Sequence, residues 1–413
     1  MHQSPMSNQP TARPASARSN DRRTFLAGVA ALAGTAGVAA SDSRGGAAPE
    51  GRAASEGRAA SESFGGAAAD GKPGVHSFRL STLAPQLTTA FGTRTMATVR
   101  QFAALRGMSL YKLSIEPGCF REPHWHANAD ELGYCTAGEV LVTVFSTGNR
   151  HDVFRIKAGE MYTVPSGSVH SIENIGAGRA ELVAAFSHQS PEDFGLSGAV
   201  GCMSPSVMGN AWGMDASALA GVTRSTEDVV FGKTDGPADV PASAASPNPW
   251  KFAIESIPPA IVNEFGSARV ARSDVWPALR AQSMYSLRLG GNGMREPHWH
   301  PETAEMGYVR AGRSRMTIKS PSAIDTFEIG PGDMYFIPAG YPHHIENLGT
   351  DELHFLVFFD RAMPQDVGYT GGIPAFPRRI VAPTLGMTVA TLPRYPERTT
   401  DAMIVEKRNP VDS

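Results

Sequence analysis

The chain is poor in cysteine. Cys119, Cys135 and Cys202 are the only three among 413 residues, too few and too odd in number for a disulfide-stapled scaffold. They read as small buried side chains rather than ligands or nucleophiles. An excess of either charge is also missing: 37 Lys and Arg against 40 Asp and Glu leave a net charge of −3. That balance excludes the clustered basic surface that nucleic acid or an anionic membrane would require. Beyond residue 40, no apolar run approaches the roughly 20 residues that span a bilayer. Residues 41–75 have few bulky apolar side chains and include a tandem Gly-Arg-Ala-Ala-Ser-Glu at 51–56 and 57–62. Such a composition cannot bury a core and reads as a disordered linker.

Ahead of that linker, Asp21-Arg22-Arg23-Thr24-Phe25-Leu26 precedes a weakly apolar run, Ala27–Ala40, that ends in small residues. Residues 1–40 therefore read as a twin-arginine export signal with a periplasmic or secreted destination. The competing reading is a chance Arg-Arg before an Ala-rich helix.

What is abundant is self-similarity. Residues 121–126 spell Arg-Glu-Pro-His-Trp-His, and residues 295–300 spell it again. Sliding the chain on itself lays His76–His126 over Trp250–His300 without a gap. After a single deletion the alignment resumes, pairing Gly159 with Gly332 and Asn174 with Asn347. A period this long marks a duplicated domain rather than a solenoid. We place the two domains at 76–225 and 226–413.

Each copy carries His-x-His, a Glu five residues on, and a more distant His. The sets are His124, His126, Glu131 and His170, and His298, His300, Glu305 and His343. His-x-His puts both imidazoles on one face of a strand, because strand side chains alternate with period two. The intervening Trp125 and Trp299 then face the other way. Of the adjacent His343 and His344, register selects His343: the shift that takes Gly159 to Gly332 takes His170 to His343. Segments rich in β-branched and aromatic residues, such as Val140–Phe145 and His354–Phe359, alternate with glycine turns. Many short strands around an inward-facing site predict an all-β protein of two small barrels. Three imidazoles and a carboxylate suit Mn²⁺ or Fe²⁺ without selecting against Zn²⁺ or Cu²⁺. Two coordination positions of an octahedral ion remain for substrate and dioxygen. Mn²⁺ lies near the weak end of the divalent affinity order, and folding before export would let it load where competitors are scarce.

These paired motifs resemble the cupins, with their Gly-x5-His-x-His-x3–4-Glu-x6-Gly and Gly-x5-Pro-x-Gly-x2-His-x3-Asn signatures. The bicupin oxalate decarboxylases are the nearest in pattern, through the doubled Arg-Glu-x-His-Trp-His. In the second copy Asn292 stands where the first motif's leading Gly would be. The resemblance implies two tandem double-stranded β-helix (jelly-roll) barrels and two Mn²⁺ per chain, with Fe²⁺ as the alternative. It also implies dioxygen as co-catalyst, oxalate as substrate, formate and CO₂ as products, and homo-trimers or hexamers. Arg121 and Arg295 would hold a substrate carboxylate. Strand periodicity aims both away from the site, unless a bend near Pro123 and Pro297 turns them inward.

The family's lid tetrapeptide, Ser-Glu-Asn-Ser, is absent. Glu192 is our first candidate for its general acid, with Asp193 and the weaker His188 beside it. In the second half, the family's carboxylate on the last strand falls at Val357, so acids are expected over the first metal only. Without protonation the intermediate is oxidised to two CO₂ and peroxide. An oxalate oxidase, another Mn/Fe cupin dioxygenase on a small acid, and a non-catalytic metal-storage cupin therefore stand as alternatives.

Overall fold

The computed structural model describes residues 74–396 and 400–411. The expected export signal and nearly all of the linker lie outside them. No helix among the described residues is long and apolar enough to cross a membrane.

Two barrels follow one another, each made of two antiparallel sheets. In the first, Ser109–Ile115, Ala180–Phe186, Glu131–Ala137 and Met161–Val164 form the centre of one sheet. Cys119–His126, Val169–Asn174 and Glu139–Ser146 form the centre of the other. The second barrel repeats this arrangement, with Gly293–Trp299, His343–Asn347 and Ser314–Lys319 in its smaller sheet.

The barrels exchange their leading strands. Ser77–Phe78 pairs with Met334–Tyr335 of the second barrel, whereas Lys251–Phe252 pairs with Met161–Tyr162 of the first. A shared core forms at this seam, where Phe78 stacks on Phe102 and Phe252 on Trp276. Burying each such aromatic contributes about 1.5–3 kcal/mol, which ties the barrels together.

Beyond the expected boundary at 225/226, a strap still pairs with the first barrel. Phe231–Lys233 pairs with Cys119–Arg121, and Thr234 bonds to Gly118. Ile404–Glu406 does the same for the second barrel, pairing with Gly293–Arg295. Sequence composition hides such straps because their value lies in edge pairing rather than in apolar content.

Candidate metal centres

The sheets bring His124, His126, Glu131 and His170 together, and likewise His298, His300, Glu305 and His343. In each set the candidate donor atoms lie within 4.8 Å of one another, and all eight side chains are buried. Metal–ligand bonds of about 2.1 Å place neighbouring donors about 3 Å apart. His126 Nε2 and His170 Nε2 are each 3.0 Å from Glu131 Oε2. In the second set, His343 Nε2 is buried with no hydrogen-bond partner, as a donor reserved for a cation is. His344 turns outward to Glu346, in keeping with the register argument.

Backbone carbonyls set the tautomers. His124 Nδ1 contacts the Glu122 carbonyl at 2.8 Å and His170 Nδ1 that of Ser168 at 3.1 Å. His298 and His343 do the same with Glu296 and Tyr341. With the proton on Nδ1, each ring presents a bare Nε2 to the centre. The carboxylates are fixed too: Tyr162 and Tyr335 donate their hydroxyls to Glu131 and Glu305.

Bulges bring in the arginines. His170 pairs with His124 but Ile172 pairs with Arg121, so one extra residue is accommodated at Glu122–Pro123. The second barrel shows the same shift between Arg295 and His298. Parity is reversed, and Arg121 and Arg295 are 2% and 4% exposed, inside the barrels. The adjacent Glu122 is buried as well, accepting from Val230 N and Ser197 N; Glu296 accepts from Met403 N and Thr370 N. These glutamates hold the straps and the segments after the last strands against the ligand-bearing strands.

The expected acid, Glu192, stands away from the ligand cluster. Glu192 is exposed, and only its backbone engages Asn128 and Ala127. The residue delivered to the first centre is its neighbour Asp193, which Asp193–Gly195 places opposite His126. Asp193 Oδ1 lies 2.6 Å from His126 Nδ1, off the ring N–H axis, making this an electrostatic contact rather than an aligned hydrogen bond. The expectation that only the first barrel carries an acid is also overturned. Asp366 Oδ1 lies 2.7 Å from His300 Nδ1, and its Oδ2 lies 2.6 Å from Arg295. The signal was in the sequence: Pro191-Glu-Asp-Phe-Gly195 and Pro364-Gln-Asp-Val-Gly368 are related by the same shift that takes His170 to His343. His188 has its Nδ1 engaged by Asn128 and Ser190.

Charge in the two centres is tightly linked. Burial, then Arg121, holds His124 well below the ordinary imidazole value; burial and Arg295 act likewise on His298. Although burial opposes it, Asp193 and Glu131 raise His126 to about 9, and Asp366 and Glu305 raise His300 to about 9. Burial also opposes ionisation of Glu131, yet His170 and His126 hold it far below the usual carboxylate range. Beyond these groups the second cavity is small and mostly apolar, lined by Tyr285, Leu287, Ile345, Val357, Phe359 and Met403. Phe186 packs on His126 in the first.

A family model described as Cupin matches residues 78–219 and again 252–391. Oxalate decarboxylase OxdC of Bacillus subtilis is 26% identical over 293 residues, covering 69% of this chain and 75% of that protein. A probable oxalate decarboxylase of Arthroderma benhamiae is 26% identical over 299 residues, 67% of this chain and 70% of that protein. Among solved structures, oxalate decarboxylase from Bacillus subtilis at pH 4.6 superposes with a TM-score of 0.71. That match covers 81% of this chain and 88% of the other at 23% identity, a likeness of fold.

Proposed function

This chain belongs to the cupin family, with two cupin domains in one polypeptide, and on that premise we propose that it is an exported, manganese-dependent enzyme that splits oxalate into formate and CO₂. The observation that carries the reading is the pairing, in one buried site, of a three-imidazole, one-carboxylate donor set with an inward-turned guanidinium. The relatives named as oxalate decarboxylases supply the substrate.

His124, His126, Glu131 and His170 would hold one ion, and His298, His300, Glu305 and His343 the other. The bound metal supplies Lewis-acid and one-electron chemistry toward oxalate and dioxygen. Arg121 orients the substrate by pairing with its free carboxylate, for which a planar guanidinium is suited. Phe186 and Tyr111, packed with ring centres 4.4 Å apart, help to exclude water. Hydrogenoxalate yields formate and CO₂ with its proton moved from oxygen to carbon. Among the described residues, Asp193 is the non-ligand carboxyl beside His126, 2.6 Å from its Nδ1, and is our candidate to carry that proton.

One observation favours the oxidase alternative. Asp193 already engages Arg94 at 2.7 Å as well as His126, so it is not a free acid. General acid–base help is worth about 10²–10⁴-fold, enough to decide which product dominates. Incubating Mn-loaded protein with oxalate at mildly acidic pH separates the outcomes. Formate supports the decarboxylase, peroxide supports the oxidase, and neither product rejects both.

Export rests on the Arg22-Arg23 signal. Replacing both with Lys should retain the protein in the cytoplasm, and unchanged export would reject the proposal. Assembly as homo-trimers or hexamers rests on the resemblance alone, and sedimentation tests it.

A further inference from the structure

The two centres share their ligand types, their inward arginine and their aspartate, but the neighbour that the aspartate meets differs. In the first barrel, Arg94 Nη1 lies 2.7 Å from Asp193 Oδ2. With that oxygen taken, Arg121 Nη2 stands 3.7 Å from it. Its remaining polar neighbours are the Val230 carbonyl at 3.4 Å and Glu122 at 3.8 Å. In the second barrel the position equivalent to Arg94 is Ala268. Arg94 pairs with Leu113 and Ala268 with Leu287, two pairs related by the repeat that takes His126 to His300. Without a competing guanidinium, Asp366 Oδ2 closes on Arg295 at 2.6 Å, and Arg295 also donates to the Met403 carbonyl at 3.1 Å.

Resting on the oxalate reading, we infer that Arg94 assigns the two centres different roles by drawing Asp193 away from Arg121, leaving the first barrel as the site that takes an anionic carboxylate substrate. A guanidinium in a close pair with an internal carboxylate has little attraction left for a second one. Arg121 keeps its charge available, whereas Arg295 is neutralised by Asp366. Arg94 is thus a positioning residue: its ion-pair partner is Asp193, and it acts through that carboxylate. Because the donor sets are the same, both centres still bind metal, and the difference appears in anion affinity.

The test is calorimetric titration of oxalate into the metal-loaded protein without dioxygen, so that binding is read apart from turnover. The intact protein should bind one oxalate per chain at least tenfold more tightly than any second. Two equal sites would overturn the inference with no substitution made. Arg94→Gln should weaken the tight site about tenfold and raise KM more than it lowers kcat, with metal content unchanged. Adding Asp193→Asn should restore anion binding, because the competing charge is gone. Arg94→Gln protein that keeps its metal and binds oxalate like the parent would contradict the inference. One tight oxalate without formate or peroxide would instead reject the enzymatic reading and leave the role of Arg94 standing.

Discussion

The Tyr162 hydroxyl donates to Glu131 Oε1 at 2.6 Å, leaving the other carboxylate oxygen to face His126 and His170. One phenol thereby fixes which oxygen of Glu131 meets the cation. Tyr162→Phe should weaken metal binding at the first centre by about 10–100-fold, the usual effect of losing a group that orients a ligand. Competition with a chromogenic chelator checks this. The second centre, served by Tyr335, should be unaffected.

The room for that phenol comes from Gly133. A Cβ there would lie 2.1 Å from Tyr162 Cε1, and one at Gly307 would lie 2.0 Å from Tyr335 Cε1. Gly133→Ala must expel a fully buried ring. It should cost at least the ~1–3 kcal/mol typical of overpacking and also weaken the metal site. Urea denaturation measures the first effect; a Gly133→Ala protein as stable as the parent would show that the ring moves freely.

Much of this was legible in the chain, and the reasons differ by residue. The ligands could be read because strand alternation and the duplication each specify them independently, as the choice of His343 over His344 illustrates. The inward turn of Arg121 could not, because a bulge reverses parity and leaves no compositional mark. Asp366 was missed although Pro-x-Asp-x-Gly recurs in both halves. Its role depends on edge pairing opposite His300, which periodicity does not reveal. Arg94 lies on a different strand from every ligand, and its contact with Asp193 exists only once the barrel closes.

Glu122 holds the strap and the segment after the last strand through two backbone N–H groups, one of them from Val230, which sits at a φ of 64°. A β-branched residue in that region costs about 1–3 kcal/mol and persists only when its neighbours hold it. Glu122→Gln, which can turn an amide donor toward one of those N–H groups, should destabilise the protein by about 1–3 kcal/mol. Chemical denaturation checks this. A loss no larger than that of an ordinary surface substitution would contradict the role assigned to Glu122.

The seam between the barrels predicts a pH dependence. Burial and then Arg288 push His354 down to about 3, and Ser286 lies 2.9 Å from its Nε2. An unfolded His titrates near about 6.5. Between those values the unfolded chain binds the extra proton, so stability falls as pH drops from about 6.5 toward 3. Although burial opposes it, Ser286, His354 and Arg288 lower Glu255 below the usual carboxylate value, and its contribution is lost in the same direction on acidification. His354→Gln should flatten the slope of Tm against pH in that window, and an unchanged slope would remove His354 as its source.

The central claim is that each barrel holds one metal ion with the same four-residue donor set. Metal analysis of protein folded with excess Mn²⁺ tests it most directly. The account predicts about two ions per chain, one for each buried donor cluster. Glu131→Gln and Glu305→Gln should each lower that figure to about one. Fewer than one ion in the parent protein, or two ions retained in both variants, would contradict it.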